Sequence, residues 1–451
     1  MFAEKLQIQQ DYFHTDVTKS ISFRKERLIK LKNEIMKREA DINEALRLDL
    51  NKSEFEAFTT EVGFCISSID HAVKHLKSWT KPRRVPTPLF NFYSKSAIIP
   101  EPLGTILIIG PYNYPFQLII EPLIGAIAAG NTAILKPSED AVHTQDVLVQ
   151  LIQAVFEPAY VDIVTGDRQV TNDLVHLNFD YIFFTGSNKV GKLVYTAASH
   201  NLTPVTLELG GKSPTIVEES ADLRFSARRI AFGKFINAGQ TCIAPDYVYV
   251  QSSVKDAFIK ELKQVIDEMR YDKQDFGKII HERHFDRLRR LIDPDKVIYG
   301  NQSDKHHLYL SPTLLDEVTW DDAIMSEEIF GPILPILSYD SIDEVIELLR
   351  HKDKPLALYL FTKNKEVEKK VFTKLSFGSG AINDTIMQIS NRDLPFGGVG
   401  SSGIGSYHGK TSFETFSNLK SVIKKSSLFD LDLVYPPYSK TTLKLIRRIM
   451  K

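Results

Sequence analysis

Cysteine is nearly missing from this sequence: Cys65 and Cys242 are the two thiols among 451 residues. That excludes a disulfide scaffold and fits a reducing compartment. No Cys/His cluster has the spacing of metal ligands, so no metal is expected. None of the 12 histidines falls in a recognised catalytic motif. A surplus of charge is missing too. The net charge of −1 offers no global field to nucleic acid or to a membrane surface. Long apolar runs are absent. The longest, Leu118 to Ala129, is broken by Glu121 and Pro122 and is too short to span a bilayer. The N-terminal MFAEKLQIQQDYF lacks the apolar core of a signal peptide, so a cytoplasmic protein is expected. There is no internal repeat and no low-complexity tract, and the glycines of the Gly186–Gly191 turn are spaced G-x4-G rather than as the G-x-G-x-x-G dinucleotide fingerprint.

What is present is ordinary globular composition, 43% hydrophobic and 25% charged, with length for two or three domains. Residues 17 to 80 read as helical, with Leu28, Leu31 and Ile35 at helical spacing. Arg24, Lys25, Arg27, Lys30, Lys37 and Arg38 alternate with Glu26, Glu34 and Glu39 and read as a solvated helix face. Lys81 to Pro88 is a proline-rich break, followed by an alternating segment, Phe92 to Ile99, expected to form a protruding strand pair. An α/β rhythm follows. Strands are expected at Gly104–Gly110, Asn131–Lys136, Val161–Val164 and Tyr181–Thr185, with helices at Gln117–Ala129 and Thr144–Phe156 between them. Such alternation implies a parallel sheet covered on both faces. Glu208 opens a second α/β region, with strands at Tyr247–Val250 and Ala357–Phe361, that runs to about residue 413. The tail carries Tyr435-Pro-Pro-Tyr438 and a basic amphipathic helix at Leu443–Ile449, read as a docked terminal helix.

Glu208-Leu-Gly-Gly-Lys212 and Gly239-Gln-Thr-Cys242 set a carboxylate and a thiol beside glycines, where a ligand has room. A cysteine that forms a covalent intermediate needs a second group to resolve it, usually by activating water. Glu208 can be that group. Taken alone, a buried cysteine is more often a small inert hydrophobe. In Phe184-Thr-Gly-Ser-Asn-Lys-Val-Gly191, glycines lie between a strand and a helix, where N–H groups favour phosphate. A tight turn with no ligand fits that stretch as well. Lys136-Pro-Ser-Glu139 closes a strand, at the end where ligands of such sheets bind. Lys136 can meet ribose or phosphate there, and Glu139 can hold a 2′-hydroxyl and repel a 2′-phosphate. A surface charge pair is the alternative. Asn113 in Pro111-Tyr-Asn-Tyr-Pro115 can donate to a developing oxyanion or simply make an Asn turn.

Taken in order, with Glu327-Glu-Ile-Phe-Gly-Pro332 and Pro395-Phe-Gly-Gly-Val-Gly-Ser-Ser-Gly403, these stretches resemble the aldehyde dehydrogenase superfamily over about residues 17 to 440. Lys81 to Phe90, Gly405-Ser-Tyr-His-Gly-Lys410 and Tyr435-Pro-Pro-Tyr438 resemble its class 3 branch, which oxidises fatty and aromatic aldehydes. The apolar C-terminal anchor of some branch members is not found here. The resemblance implies an α/β fold with a Rossmann-like NAD(P)-binding domain over 1–80 and 101–207 and a second α/β catalytic domain over 208–413. A small strand-based oligomerisation element would comprise 81–100 and 414–451.

The resemblance also implies roles. Cys242 would be the nucleophile, Glu208 the general base, and Asn113 with the Cys242 N–H the oxyanion hole. Lys136 and Glu139 would grip the adenosine ribose and Glu328 the nicotinamide ribose. Gly186 and Ser187 would face the pyrophosphate, and Phe330 would pack near the nicotinamide. Tyr112 stands where Trp is common, and Thr241 and Ile243 flank the thiol. The expected reaction is oxidation of a small-molecule aldehyde to a carboxylic acid through a cysteine thiohemiacetal and thioester. NAD is the expected cofactor, because of Glu139, with NADP possible. A homodimer is expected, because Phe90, Phe92 and Ile98 sit in segments too thin to bury them. The alternatives are a coenzyme A-acylating aldehyde dehydrogenase, a nicotinamide-independent cysteine hydrolase or transferase, and a structural protein with a dead site.

Overall fold

The computed structural model describes residues 2–91, 93–271, 276–428 and 435–450. Two sheets organise it. The first runs, edge to edge, Gly403–Ile404, Val205–Glu208, Tyr181–Thr185, Thr105–Ile109, Thr132–Lys136, Val161–Ile163. All its pairings are parallel except that of Gly403–Ile404, which is antiparallel to Val205–Glu208. Thr105–Ile109, Thr132–Lys136 and Tyr181–Thr185 are buried at every position. Helices cover both faces, so these strands need no polar alternation, and their continuous apolar runs follow from that. Gln117–Ala129 is likewise buried along its whole length, sandwiched between the sheet and the N-terminal helices Ile21–Lys37 and Gly63–Trp79.

The second sheet has seven strands in the order Val297–Tyr299, Thr313–Leu315, Ile333–Tyr339, Tyr247–Gln251, Pro214–Val217, Ala357–Phe361, Ser379–Ile382. It is parallel apart from its Val297–Tyr299 edge. A third, antiparallel sheet joins Arg83–Val85, Ser94–Pro102 and Ser417–Lys425. The expected strand pair is therefore three-stranded, its third strand arriving from the far end of the chain. Phe92, at the expected start of that segment, lies outside the described residues.

Other expectations are corrected by the structure. The N-terminal stretch, noted only for what it lacks, forms a helix, Phe2–Phe13. Gln9 on it is buried and donates to the carbonyls of Ala133 (2.8 Å) and Pro158 (3.1 Å), while Lys5 pairs with Asp162 at 2.6 Å. Arg24 is not on a solvated face. It is buried and donates to the carbonyls of Thr18 (2.7 Å), Ala128 (3.0 Å) and Lys19 (3.1 Å). The Ala128 carbonyl belongs to the last turn of Gln117–Ala129, where helices leave acceptors unpaired and favour a cation. Residues 51–63 are not one smooth helix: Ser53 caps a short turn and Phe58–Val62 winds as a π-helix. Glu208 does not begin the second sheet but ends a strand of the first. The terminal helix spans Lys440–Ile449, touches Leu89–Asn91 and leaves Leu443, Leu445 and Met450 exposed. Among the described residues, no helix is long and apolar enough to cross a membrane.

Candidate active site

Parallel strands present all their carboxyl ends along one edge, and that is where open α/β sheets bind ligands. In the first sheet, Val205–Glu208, Tyr181–Thr185, Thr105–Ile109 and Thr132–Lys136 are successive neighbours. Along their ends come, in turn, Glu208, the Gly186–Ser187 turn, the Gly110–Gln117 loop carrying Asn113, and Lys136 with Glu139. Four of the expected site segments thus share one edge by topology alone.

Glu208 is buried, and among the described residues neither carboxylate oxygen has a hydrogen-bond partner. Burial pushes its carboxyl well above the usual range, because a charge there would be stripped of water without compensation. Its backbone is well held: the Glu208 carbonyl accepts the Gly186 N–H at 3.0 Å.

Cys242 follows the helix Leu223–Phe235 through three consecutive left-handed residues, Asn237, Ala238 and Gly239, with φ of 52°, 51° and 73°. Only the glycine takes that region freely; the other two store strain of order 1–3 kcal/mol each. Hydrogen bonds hold the turn in place. The Asn237 N–H donates to Glu56 at 2.9 Å, and its Nδ2 donates to the Asn113 carbonyl at 2.7 Å. Gln240 ties the loop to its surroundings, giving Nε2 to the carbonyls of Asn237 (3.1 Å) and Lys278 (2.9 Å) and accepting the Ile280 N–H at 3.1 Å. The thiol that results is half-buried and unpaired. Burial raises its pKa, with the charges of Glu328 and Glu208 adding to the rise, and the N–H groups of Cys242 and Ile243 pull the other way. The thiol and both carboxylates therefore share one electrostatic neighbourhood.

Asn113 is buried against the same loop, with Nδ2 donating to the Gln240 carbonyl at 2.9 Å. An amide has two N–H groups, so one remains for a ligand. Next to it, the Tyr114 hydroxyl meets Thr241 Oγ1 at 2.6 Å.

At the far end of the edge, the buried Lys136 gives Nζ to the Pro137 carbonyl at 2.8 Å and to Glu139 at 3.2 Å. Ser187 caps the helix Asn188–His200 through the Val190 N–H. The Gly186 N–H is already spent on the Glu208 carbonyl, and the Phe184 ring stands 2.7 Å from where a Cβ would sit, so Gly186 brings no free backbone donor. Glu328 lies across Gly210, where an added Cβ would meet its Oε2 at 2.0 Å. Its pKa is pushed up to about 8 by burial, then by Asp246. The loop that carries it is braced by Lys212 of the Glu208–Lys212 motif and by Arg287 and Asp246, which no motif singles out. Arg287 donates to the carbonyls of Glu328 (3.2 Å) and Ile329 (2.6 Å). Lys212, paired with Asp246 at 2.5 Å, donates to the Glu327 carbonyl at 2.8 Å, and Asp246 accepts the Ile329 N–H at 2.8 Å. Phe330 is held at φ 49°, with Tyr112 edge-on to its ring at 6.0 Å. Tyr112 also packs 5.6 Å from His284.

Lys52, Glu56, Glu61 and Asn237 are the other residues that reading the sequence misses. Lys52 and Glu56 flank Glu54 and read as solvated helix, Glu61 stands between Thr60 and Val62, and no local pattern marks any of the three. Their partners, Asn113, Asn237 and Phe116, are distant in sequence. Among the described residues, no group of three His, Cys, Asp or Glu could hold a metal ion.

Comparison with known proteins gives the geometry its context. The model of the aldehyde dehydrogenase family matches residues 7–422. The 4,4'-diaponeurosporen-aldehyde dehydrogenase of Staphylococcus aureus is 51% identical, covering 99% of each chain. The rat dimeric, NADP-preferring aldehyde dehydrogenase is 42% identical, covering 93% of each. The solved structure of the substrate-bound state of Staphylococcus aureus AldH superposes with a TM-score of 0.98 at 50% identity, over the whole of both chains.

Proposed function

Because the chain belongs to the aldehyde dehydrogenase family and is an NAD(P)-dependent enzyme that oxidises aldehydes to acids, we propose that Cys242, Glu208 and Asn113 carry that reaction. The observation behind this assignment is Glu208: a buried carboxylate with two unpartnered oxygens, in the electrostatic reach of the one half-exposed thiol. Buried polar atoms are nearly always paired, so an unpaired pair of oxygens beside a nucleophile marks a place kept for water or substrate.

The cofactor's place fits the residues present. The helix N-terminus at Ser187 and the Lys136–Glu139 pair lie along one sheet edge, where a dinucleotide would lie. We assign Ser187 and Gly186 to the pyrophosphate, Lys136 and Glu139 to the adenosine ribose, Glu328 to the nicotinamide ribose and Phe330 to the nicotinamide face. When bound, NAD(P) supplies the hydride acceptor.

The chain's own groups do the rest. Cys242, as thiolate, forms the C–S bond to the aldehyde carbon. The remaining Asn113 N–H and the Cys242 N–H hold the oxyanion, a contribution worth about 3 kcal/mol per donor. Loss of hydride leaves a thioester on Cys242. In its ionised form Glu208 takes a proton from water, the hydroxide adds to the thioester, and the acid departs as Glu208 returns that proton to the Cys242 sulfur. A base beside the thioester favours water over coenzyme A as acceptor. Growth of reduced-nicotinamide absorbance with aldehyde present and coenzyme A absent is the expected result. Turnover that required coenzyme A would overturn the water-using reading.

The finer assignments are proposals of the same kind. The substrate is a long or aromatic apolar aldehyde, by analogy with the Staphylococcus aureus relative named for 4,4'-diaponeurosporen-aldehyde. A panel of short, long-chain and aromatic aldehydes tests this. The cofactor preference is NAD over NADP, since the Glu139 carboxylate would repel a 2′-phosphate while its partner Lys136 softens the repulsion. The rat relative is named NADP-preferring, so equal or NADP-favouring specificity constants would refute this preference. A second copy covers the exposed Leu419, Val422 and Ile423 of the Ser417–Lys425 strand, making a homodimer; a monomeric mass in solution would refute it. The chain acts in the cytoplasm.

A further inference from the structure

We propose that Lys52, Glu56 and Glu61 form a positioning clamp, through which the N-terminal helical segment holds Asn113 against the Cys242 loop and sets the rate of acylation. This rests on the reading of Asn113 as the oxyanion donor.

Lys52 and Glu61 make an ion pair at 2.5 Å with both side chains fully shielded from solvent. Both members of the pair reach the Asn113 loop. Lys52 Nζ donates to the Asn113 carbonyl at 3.1 Å and lies 3.9 Å above the Tyr114 ring. Glu61 Oε2 accepts the N–H groups of Phe116 (2.9 Å) and Gln117 (3.1 Å), the donors that open the helix Gln117–Ala129. The loop is therefore held at the Asn113 carbonyl and again three residues on. The π-helix Phe58–Val62 inserts an extra residue per turn at the point where Glu61 is turned inward; such wide turns recur at functional sites.

Glu56, on the same segment, reaches the other loop. It accepts the Asn237 N–H at 2.9 Å, and Asn237 Nδ2 donates to the same Asn113 carbonyl at 2.7 Å. One short stretch of chain thus grips the strained turn before Cys242 and the loop that bears Asn113, and ties them together at a single carbonyl oxygen. The Asn113 side chain closes the ring by donating to the Gln240 carbonyl at 2.9 Å. A buried ion pair is rarely the most stable filling for its space; apolar residues of the same shape often do as well or better. Directional holding is what the charged pair adds. Placing an oxyanion donor to within a fraction of an ångström is a task that rewards it, because small misplacements cost rate steeply.

The test compares two chemistries at Cys242 that need no cofactor. Acylation by an activated nitrophenyl ester develops an oxyanion; alkylation by iodoacetamide does not. Lys52→Met removes the ammonium, and Lys52→Met with Glu61→Gln removes both charges while keeping their shape, so that no unpaired buried charge confuses the reading. In the doubly substituted protein, ester acylation should fall about 10- to 100-fold, with alkylation changed by less than about twofold. The same two changes in an Asn113→Ala background should cost less than about twofold, because the clamp acts through Asn113. Parallel losses in acylation and alkylation would overturn the proposal, as would losses that multiply with Asn113→Ala, or a neutral double that fails to fold. If Asn113→Ala alone leaves ester acylation intact, the oxyanion reading of Asn113 fails first and the clamp fails with it.

Discussion

Glu61 and Glu208 are both carboxylates shut away from solvent, and the structure treats them in opposite ways. The two oxygens of Glu61 are taken up by Lys52 and by the N–H groups of Phe116 and Gln117. Those of Glu208 meet nothing among the described residues. Asp49 follows the first pattern, accepting the N–H of His143 and both the N–H and hydroxyl of Thr144. Glu121 lies between the two, with one oxygen unpaired and a pKa raised to about 7 by burial. A buried charge whose bonds are all made organises the chain around it. One whose bonds are all missing costs stability and persists where chemistry needs it. The difference separates the clamp from the base without reference to any motif.

The sharpest way to break this comparison is to remove the thiol on which Glu208 is proposed to act. Cys242→Ala should reduce dehydrogenase turnover to background while NAD(P) binding, followed by fluorescence titration, stays intact. Cofactor-dependent turnover in that variant would end the assignment. Next in size is Lys52→Met, which strands Glu61 as a buried charge. Breaking such a pair costs about 3–5 kcal/mol, read as a drop in thermal midpoint, and adding Glu61→Gln should recover much of it. The same type of change at the other carboxylate should do the reverse. In the native state the Glu208 carboxyl is raised above its unfolded value, so the folded protein binds that proton more tightly than the unfolded chain. Stability then falls as pH rises through the window between the ordinary carboxyl range and the raised value. Glu208→Gln should match the parent in acid and gain over it towards alkaline pH, by at most about 1.4 kcal/mol per pH unit. A gain that shrank with rising pH would mean the carboxylate is stabilised by something it is not seen to touch. The smallest effect belongs to the other cysteine. Cys65 is fully buried within the core on the helix Gly63–Trp79, so Cys65→Ala should cost roughly 1 kcal/mol of packing and leave turnover unchanged.

Much of the frame is legible in the amino-acid sequence itself. The helix Gln117–Ala129 and the strands Thr105–Ile109 and Tyr181–Thr185 lie close to their expected limits. A buried parallel layer writes itself as unbroken apolar sequence. The residue types of the site are legible as well, because glycines beside a carboxylate and a thiol are unusual company. What is not legible depends on partners far away in the chain. Arg24 reads as solvated because the helix end that buries it, at the Ala128 carbonyl, is more than a hundred residues on. Lys52 and Glu61 read like any charged helix face until the Asn113 loop is folded over them. The left-handed run at Asn237 and Ala238 contradicts local preference and persists through hydrogen bonds to Glu56 and Asn113. Local pattern records propensity and burial. It does not record which backbone group a distant side chain will hold.

The contrast between the two carboxylates rests on the proposal that Glu208 stands free because it serves the second half of the reaction. Rapid mixing of Glu208→Gln with NAD and an aldehyde tests it most directly. A burst of reduced cofactor, close to one equivalent per site, should survive near its parent rate while steady turnover falls steeply, because the thioester forms and then waits for water. If burst and turnover fall together, Glu208 acts before the thioester, on the thiol itself, and the contrast with Glu61 has been given the wrong meaning.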